Sequence, residues 1–373
     1  MTVLNIGVIG LGSRAQGVLS FIQKADSTCK IAAIADPGKM QEQAQNPSIN
    51  YYENADDMLQ NESLDGVLIG TRCNLHTELA MKVLPTGIPL YLEKPVSTTM
   101  EDLRKLKAAY EKHPSPSLVS FPLRFTTIVQ LAKEIIDSGK IGTVEHVQAI
   151  NNVPYGGVYF HNWYRDESIT GGLFLQKATH DFDYINAVLG MQPVEICAMT
   201  SKQIFKGDKP AGLTCKTCDE NRTCEESTAF DPDLADVWTH CAFGEDTGNE
   251  DSGSALIRYE SGMHASYSQN FFARRGAGTR GARFLGYKGT LEFDFTTGKL
   301  QVFMHHTPRV DTYQYEMSEG HFGGDDELAR NFIEMMQGKA ESKASLQEGL
   351  TSALMCLKAK ESAETRQFCK IEW

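Results

Sequence analysis

Two short stretches of the sequence carry side chains able to manage a proton at an alcohol oxygen. The first is Glu93-Lys94-Pro95, directly after the apolar run PLYL. Proline holds the residue before it extended, which would aim the Lys94 side chain off the end of a strand. An ammonium there can hydrogen-bond a hydroxyl and stabilise the alkoxide as hydride leaves, although a lysine is more often solvated surface. The second stretch is GGLFLQKATHDFDYINAVLG, residues 171–190. Leu173, Leu175, Ile185 and Leu189 give it an apolar helical face, punctuated by Gln176, Lys177, His180, Asp181 and Asp183. Residues three and four apart share a helix face. Gln176 or Lys177 can therefore lie beside His180, whose imidazole titrates near neutral pH and can take a proton. A helix N-terminal turn with an ordinary polar face and a hydrogen-bonded core histidine fits the same pattern.

What would position these groups is the opening of the chain. Val3 to Ile9 is an apolar, β-branched run that reads as a buried strand, and Val18, Leu19, Phe21 and Ile22 then recur at helical spacing. Between them, Gly10, Gly12 and Ala15 form Gly-x-Gly-x-x-Ala. Gly10 would let the chain turn sharply, Gly12 would let the backbone approach a pyrophosphate, and Ala15 would let helix and strand pack closely. The unpaired N–H groups of the helix N-terminus would face the phosphate charge. A second strand, Lys30 to Ala35, ends in Asp36, where a carboxylate would accept ribose hydroxyls. The expected cofactor is NAD. Asp36 would repel the 2′-phosphate of NADP, while Lys39 leaves NADP open.

The chain has 373 residues, enough for two domains that each bury a core. A net charge of −12 argues against nucleic acid and anionic membrane as partners. No apolar run approaches the ~20 residues of a membrane span, and no basic region of the secretion-signal kind precedes the first apolar run. Nine cysteines, an odd number, then suggest reduced thiols in a cytoplasmic protein.

Residues 1–122 alternate short strands (Gly66 to Gly70, Pro89 to Leu92, Leu118 to Phe121) with helical segments (Ala55 to Gln60, Leu75 to Leu84, Met100 to Lys112). That alternation implies a parallel, doubly wound sheet. In such sheets the ligand lies outside the carboxyl ends of the strands. The residues singled out there are Gly10, Leu11, Gly12, Ser13, Arg14 and Ala15 after the first strand and Asp36 after the second. Later strands add Thr71, Asn74 and His76, then Glu93 and Lys94. From residue 123 the pattern changes to a helix (Ile128 to Ser138), a strand (Thr143 to Asn151) and the β-rich runs SALIRYE, HASYSQNFF, RFLGYKGTLEFDF and KLQVFMHH. These imply a large, open, mainly antiparallel sheet, closed by helices within 325–362. The fold class is α/β: a dinucleotide-binding Rossmann domain at 1–122 and a substrate-binding and oligomerisation domain at 123–373, with the cofactor cleft between them.

Taken together, GVIGLGSRA, the strand end at Asp36, GTRCNLHTELA, LEKPVS and GG…THDFDYINAVLG resemble the Gfo/Idh/MocA family, named for glucose–fructose oxidoreductase and inositol dehydrogenase. YKGTLEFD and LQEGLTSALMCLKAKESAE extend the resemblance over nearly the whole chain. It implies an NAD(P)-dependent oxidoreductase acting on sugars, cyclitols or their derivatives, with Lys94 and His180 facing the nicotinamide and the reacting carbinol. His180 would take the hydroxyl proton and Lys94 would orient and polarise the oxygen. Many members carry an aspartate four residues before this histidine; here Gln176 stands there, followed by Lys177. The form QKATHDFD looks like a subgroup in which Lys177 joins the catalytic set and depresses the imidazole pKa. By analogy with the family's second-domain sheets, a homodimer or homotetramer is expected.

A dense polar–aromatic loop, including Tyr155, His161, Asn162, Trp163, Tyr164 and Arg165, precedes the histidine helix. Its composition suits a glycoside, and Arg124, Tyr155, Trp163, Arg165 and Gln176 are the expected substrate contacts. The alternative is that Trp163 and Tyr164 are core. Arg274, Arg275, Arg280 and Arg283 read as a loop or subunit contact. Cys215, Cys218 and Cys224 could clasp zinc if a fourth ligand folded back, but no metal site is assigned. His305 and His306, on an expected strand, would point to opposite faces. The leading functional expectation is a dehydrogenase giving a ketosugar, with the 3-position as the expected carbon. A glycosidase or lyase using transient oxidation and elimination is the alternative. A non-catalytic dinucleotide-sensing regulator is third, and it would be expected to lack Lys94 or His180. Fold alone does not choose among them.

Overall fold

The computed structural model describes residues 3–316 and 319–373. Six strands form the first sheet: β1 (Leu4–Ile9), β2 (Cys29–Ala35), β3 (Asn50–Tyr52), β4 (Gly66–Ile69), β5 (Leu90–Leu92) and β6 (Ser117–Val119). All are parallel, in the order β3-β2-β1-β4-β5-β6. The order reverses at β1, so the crevice above the carboxyl ends of β1 and β4 is the topological switch point at which such sheets bind ligands. Strands buried on both faces read as continuous apolar runs, and Val67, Leu68, Ile69, Leu90 and Leu92 are all fully buried. Each such side chain contributes about 1.5–3 kcal/mol by leaving water.

The second sheet has nine strands: β7 (Val144–Asn152), β8 (Pro193–Ser201), β9 (Ser252–Tyr259), β10 (His264–Asn270), β11 (Thr279–Gly286), β12 (Gly289–Asp294), β13 (Lys299–Met304), β14 (Val310–Gln314) and β15 (Cys369–Lys370). Their order is β14-β13-β12-β11-β7-β10-β9-β8-β15, antiparallel except where β10 lies parallel to β7. One face packs on helices. The other leaves Ile150, Val194, Met199 and Leu256 exposed.

The carboxyl-terminal segment returns to the first sheet. The helix Gly324–Met336 packs against Ser13–Ala25. A Cβ on Gly66 would lie 2.5 Å from Met336 Sδ, and the Val119 N–H bonds the Ala344 carbonyl. The two sheets consequently share one continuous apolar core. The helix Leu346–Thr365 opens with a capping box, Ser345 and Glu348, which satisfies two otherwise orphaned N–H donors.

Candidate active site

The glycine turn is built as its residues require. Gly10 adopts φ +79°, and a Cβ there would strike Thr71 at 2.4 Å. Gly12 caps the helix Ser13–Ala25, with no side chain taking its first N–H groups. A Cβ on Gly12 would meet only the Gly70 carbonyl, at 3.6 Å, so the protein's own packing does not demand glycine there. The open approach to the helix N-terminus does, and this fits a pyrophosphate. Ala15 lies beneath, where a Cβ on Gly70 would come within 2.7 Å of its methyl group. Asp36 Oδ2 accepts from the Leu11 N–H (2.9 Å) and Oδ1 from the Gly38 N–H (2.9 Å), fixing the carboxylate at the end of β2.

A cleft of about 920 Å³ runs from this turn to the second domain. Its walls include Gly10, Leu11, Gly12, Ser13, Arg14, Asp36, Thr71, His76, Glu93 and Lys94 from the first domain. The second domain contributes Tyr155, Trp163, Gln176, Lys177 and His180. Two residues expected at the cofactor, Ala15 and Asn74, and two expected at the substrate, Arg124 and Arg165, are not in that wall. His76 ties the loops together, its ring nitrogens reaching the carbonyls of Pro95 (2.7 Å) and Thr71 (3.2 Å). The Lys94–Pro95 peptide is cis.

The histidine helix does not begin as an α-helix. Phe174–Ala178 is a π-helical turn and Thr179–Leu189 continues as α. Such turns are rare and cluster at functional sites. Gln176, Lys177 and His180, three and four residues apart, all reach the cleft from this turn. Gln176 is fully buried, donating from Nε2 to the Thr170 carbonyl (2.8 Å). Its own backbone carbonyl accepts from Lys94 Nζ (3.0 Å). Burial, with Lys177 nearby, lowers the Lys94 pKa to about 8.

His180 is 6% exposed and its Nδ1 has no hydrogen-bond partner. Burial, and then the positive charges of Lys94 and Arg280, hold the imidazole well below its usual pKa. Lys177 donates to the Tyr155 hydroxyl at 2.5 Å. Its ammonium lies 4.6 Å from the Tyr155 ring centroid and 5.8 Å from that of Tyr159. The two acids after His180 serve the scaffold. Asp181 accepts from Arg280 Nε (2.8 Å), Asn151 (2.9 Å) and Tyr267 (2.8 Å), pinning the helix to β7, β10 and β11.

Asp183 holds Arg124 through two bonds, 2.9 and 2.5 Å. Arg124 Nη1 donates to Glu348 (2.5 Å) and the Lys343 carbonyl (3.0 Å). The expected substrate contact is thus a buried structural clamp. Arg165 likewise turns to Asp246 (2.6 Å) and Thr247 (2.7 Å). Arg280, expected in a loop or subunit contact, is buried against Asp181. His305 and His306 lie past the end of β13, and both approach the Tyr287 carbonyl at 3.2 Å.

Several cleft residues carry no sequence signal. Arg72 stacks on Trp163, its guanidinium carbon 3.7 Å from the ring centroid, and Trp163 stacks on Tyr164 at 3.8 Å. This sandwich bridges the domains. Cys73 sits beneath Gln176, and His321 enters from the far end of the chain with φ +46°. The Asp325 carboxylate holds His321 Nδ1 at 2.8 Å and also receives Arg14 (2.7 Å), whose Nε bonds Glu93 (2.9 Å). Away from the cleft, Cys215 Sγ lies 3.8 Å from His161 Nδ1. Among the described residues, no group of three or more His, Cys, Asp or Glu side chains is arranged to hold a metal ion. Nor is any helix among them long and apolar enough to cross a membrane.

Comparison with known proteins agrees with this architecture. Residues 4–121 match the model of the oxidoreductase family with an NAD-binding Rossmann fold, and residues 129–292 match the GFO/IDH/MocA C-terminal domain. The Rhizobium meliloti rhizopine catabolism protein MocA is 27% identical over 56% of this chain and 64% of its own length. Inositol 2-dehydrogenase of Ralstonia nicotianae is 26% identical over 50% of this chain and 55% of its own. The chain thus spans between about half and two thirds of the length of these relatives. A solved levoglucosan dehydrogenase, in complex with NADH and levoglucosan, superposes with a TM-score of 0.81 at 18% identity, covering 99% of this chain and 100% of that one. With the glycine turn, the reversed parallel sheet and the nine-stranded partner sheet all in place, the chain belongs to the Gfo/Idh/MocA oxidoreductases, and its first domain is an NAD-binding Rossmann domain.

Proposed function

We propose that this protein is an NAD-dependent dehydrogenase that oxidises a secondary hydroxyl of a sugar or glycoside, with C3 as the expected carbon. The observation that carries the reading is the placement of Lys94 and His180 in one cleft with the glycine turn, from sequence positions 86 residues apart. When bound, NAD supplies the hydride acceptor. Gly12 and the helix N-terminus hold its pyrophosphate, and Asp36 its ribose hydroxyls. Lys94 donates to the carbinol oxygen and stabilises the charge that develops there. His180, neutral in its cationic surroundings, donates a ring N–H to the same oxygen and orients it, and Lys177 helps keep the ring neutral. Tyr155, half exposed in the cleft wall, suits the C–H face of a pyranose, whereas the faces of Trp163 are taken by Arg72 and Tyr164. Similarity to inositol and levoglucosan dehydrogenases supports the substrate class. Assembly into a homodimer or homotetramer fits the apolar residues left exposed on the second sheet.

The test is a screen of glycosides for NAD reduction, with mass analysis to locate the ketone. Net NADH with a ketosugar supports the dehydrogenase. Aglycone released without net NADH would point to oxidation–elimination instead.

A further inference from the structure

Oxidation of an alcohol releases a proton, and the charges around this cleft limit where it can go. Lys94 bonds a neutral carbonyl and Lys177 a phenol. Neither ammonium appears in an ion pair with a carboxylate among the described residues. Asp181, the nearest acid in sequence to His180, is turned away into Arg280, Asn151 and Tyr267. A neutral imidazole that accepts the proton becomes a third buried cation, with its Nδ1 donor unpartnered and no carboxylate hydrogen-bonded to it. An isolated buried charge of this kind is costly. A base that starts anionic and ends neutral avoids that cost.

We propose that the Tyr155 phenolate, held by Lys177, is the catalytic base that takes the hydroxyl proton, and that His180 orients the hydroxyl without keeping its proton. The inference rests on the dehydrogenase reading above. In the step, the carbinol O–H bond breaks and its proton joins Tyr155 Oη, giving the neutral phenol. The C–H bond breaks as hydride leaves to the bound NAD, and the carbon–oxygen double bond forms. The phenol then returns its proton to solvent, to which half of the Tyr155 surface remains open (50% exposed).

Geometry and electrostatics agree. The Nζ–Oη bond is 2.5 Å and the ammonium also lies against the ring. The charged groups facing this phenol are Lys177, Lys94 and Arg280, the last offset by its pairing with Asp181, with the neutral phenol of Tyr159 beside it. Lys177 foremost, against the burial that opposes it, holds Tyr155 below the ordinary phenol value, whereas burial pushes Tyr159 and Tyr164 in the same cleft upward. Lys177 acts through Tyr155 and is a positioning residue.

The experiment compares wild type with Tyr155→Phe, Lys177→Met and Lys177→Arg, using NAD and the best glycoside from the screen. NADH fluorescence titration serves as the control for folding. Tyr155→Phe should lose on the order of 10²-fold or more in kcat while still binding NADH. The acid limb of the kcat profile should move up toward ~10 in Lys177→Met, the ordinary phenol value, and be partly restored in Lys177→Arg. Ultraviolet tyrosinate titration should show one early-titrating tyrosine in wild type that is missing from Tyr155→Phe. A Tyr155→Phe enzyme within about threefold of wild-type kcat, or an acid limb unmoved in Lys177→Met, would overturn the proposal and leave the dehydrogenase standing. A wild type that forms no NADH with any of the glycosides would overturn the dehydrogenase reading, and this inference with it.

Discussion

Replacing Lys94 by Met should make the protein more stable and inactive, and the size of the gain should depend on pH in a defined way. Burial lowers the Lys94 pKa from 10.5 to about 8. At about 1.4 kcal/mol per unit, carrying this charge in the fold costs about 3 kcal/mol relative to the unfolded chain. Removing the ammonium also removes its bond to the Gln176 carbonyl, worth about 1 kcal/mol, so the net gain is about 2 kcal/mol. The sign follows from proton binding. Between pH 8 and 10.5 the unfolded chain holds the lysine proton and the folded chain has released it, so stability conferred through this group rises with pH across that window. The penalty is therefore complete below pH 8 and gone above 10.5. Urea denaturation of wild type and Lys94→Met, run from pH 7 to 10.5, should show the variant's advantage shrinking through zero and reversing to a deficit of about 1 kcal/mol, the lost hydrogen bond, at the top of the range. Activity should fall by about 10²–10³, as for loss of one donor to a developing oxyanion. A variant less stable than wild type at pH 7, or an advantage that does not change with pH, would refute the reasoning.

Three further outcomes follow from the geometry. Gly12→Val places a branched side chain where only the Gly70 carbonyl stands nearby; calorimetry should show NADH affinity reduced at least about tenfold, or about 1.4 kcal/mol, with the thermal midpoint little changed. Arg124→Met leaves the buried Asp183 unpaired and should cost about 3–5 kcal/mol of stability, while the folded fraction binds NADH as wild type does. Asp325 is buried, which alone would raise its pKa, yet bonds from His321 and Arg14 hold it well below the usual carboxylate range. Its contribution is complete above the unfolded value near ~4 and is lost progressively as pH falls from there toward the lower folded value. The denaturation midpoint should therefore drop less between pH 6 and 3 in Asp325→Asn than in wild type.

The first domain was readable because its strands are buried on both faces and leave continuous β-branched runs, and because the glycine turn has few other uses. Strand β3 leaves no run to read: it is three residues long, Asn50–Tyr52, at the sheet edge. Strand β8 begins with Pro193 and alternates weakly, and β14 is a short edge strand of largely polar residues. Lys94 and His180 were legible from their neighbours. The π turn was not, since it depends on how Leu173 and Phe174 N–H groups are held by Glu250, 77 and 76 residues away. Arg124 and Arg280 looked like surface or ligand-facing charges because their partners, Asp183 and Asp181, are 59 and 99 residues distant. His321 comes from a segment without periodicity, its place fixed by Asp325 and by backbone in the left-handed region.

The most direct measurement is hydride transfer itself. A glycoside deuterated at its ring carbons, incubated with the protein and NAD, should deliver one deuterium to the nicotinamide and slow the reaction by a primary isotope effect. NADH free of deuterium, or no NADH from any glycoside, would contradict the account of Lys94 and His180 flanking a sugar carbinol.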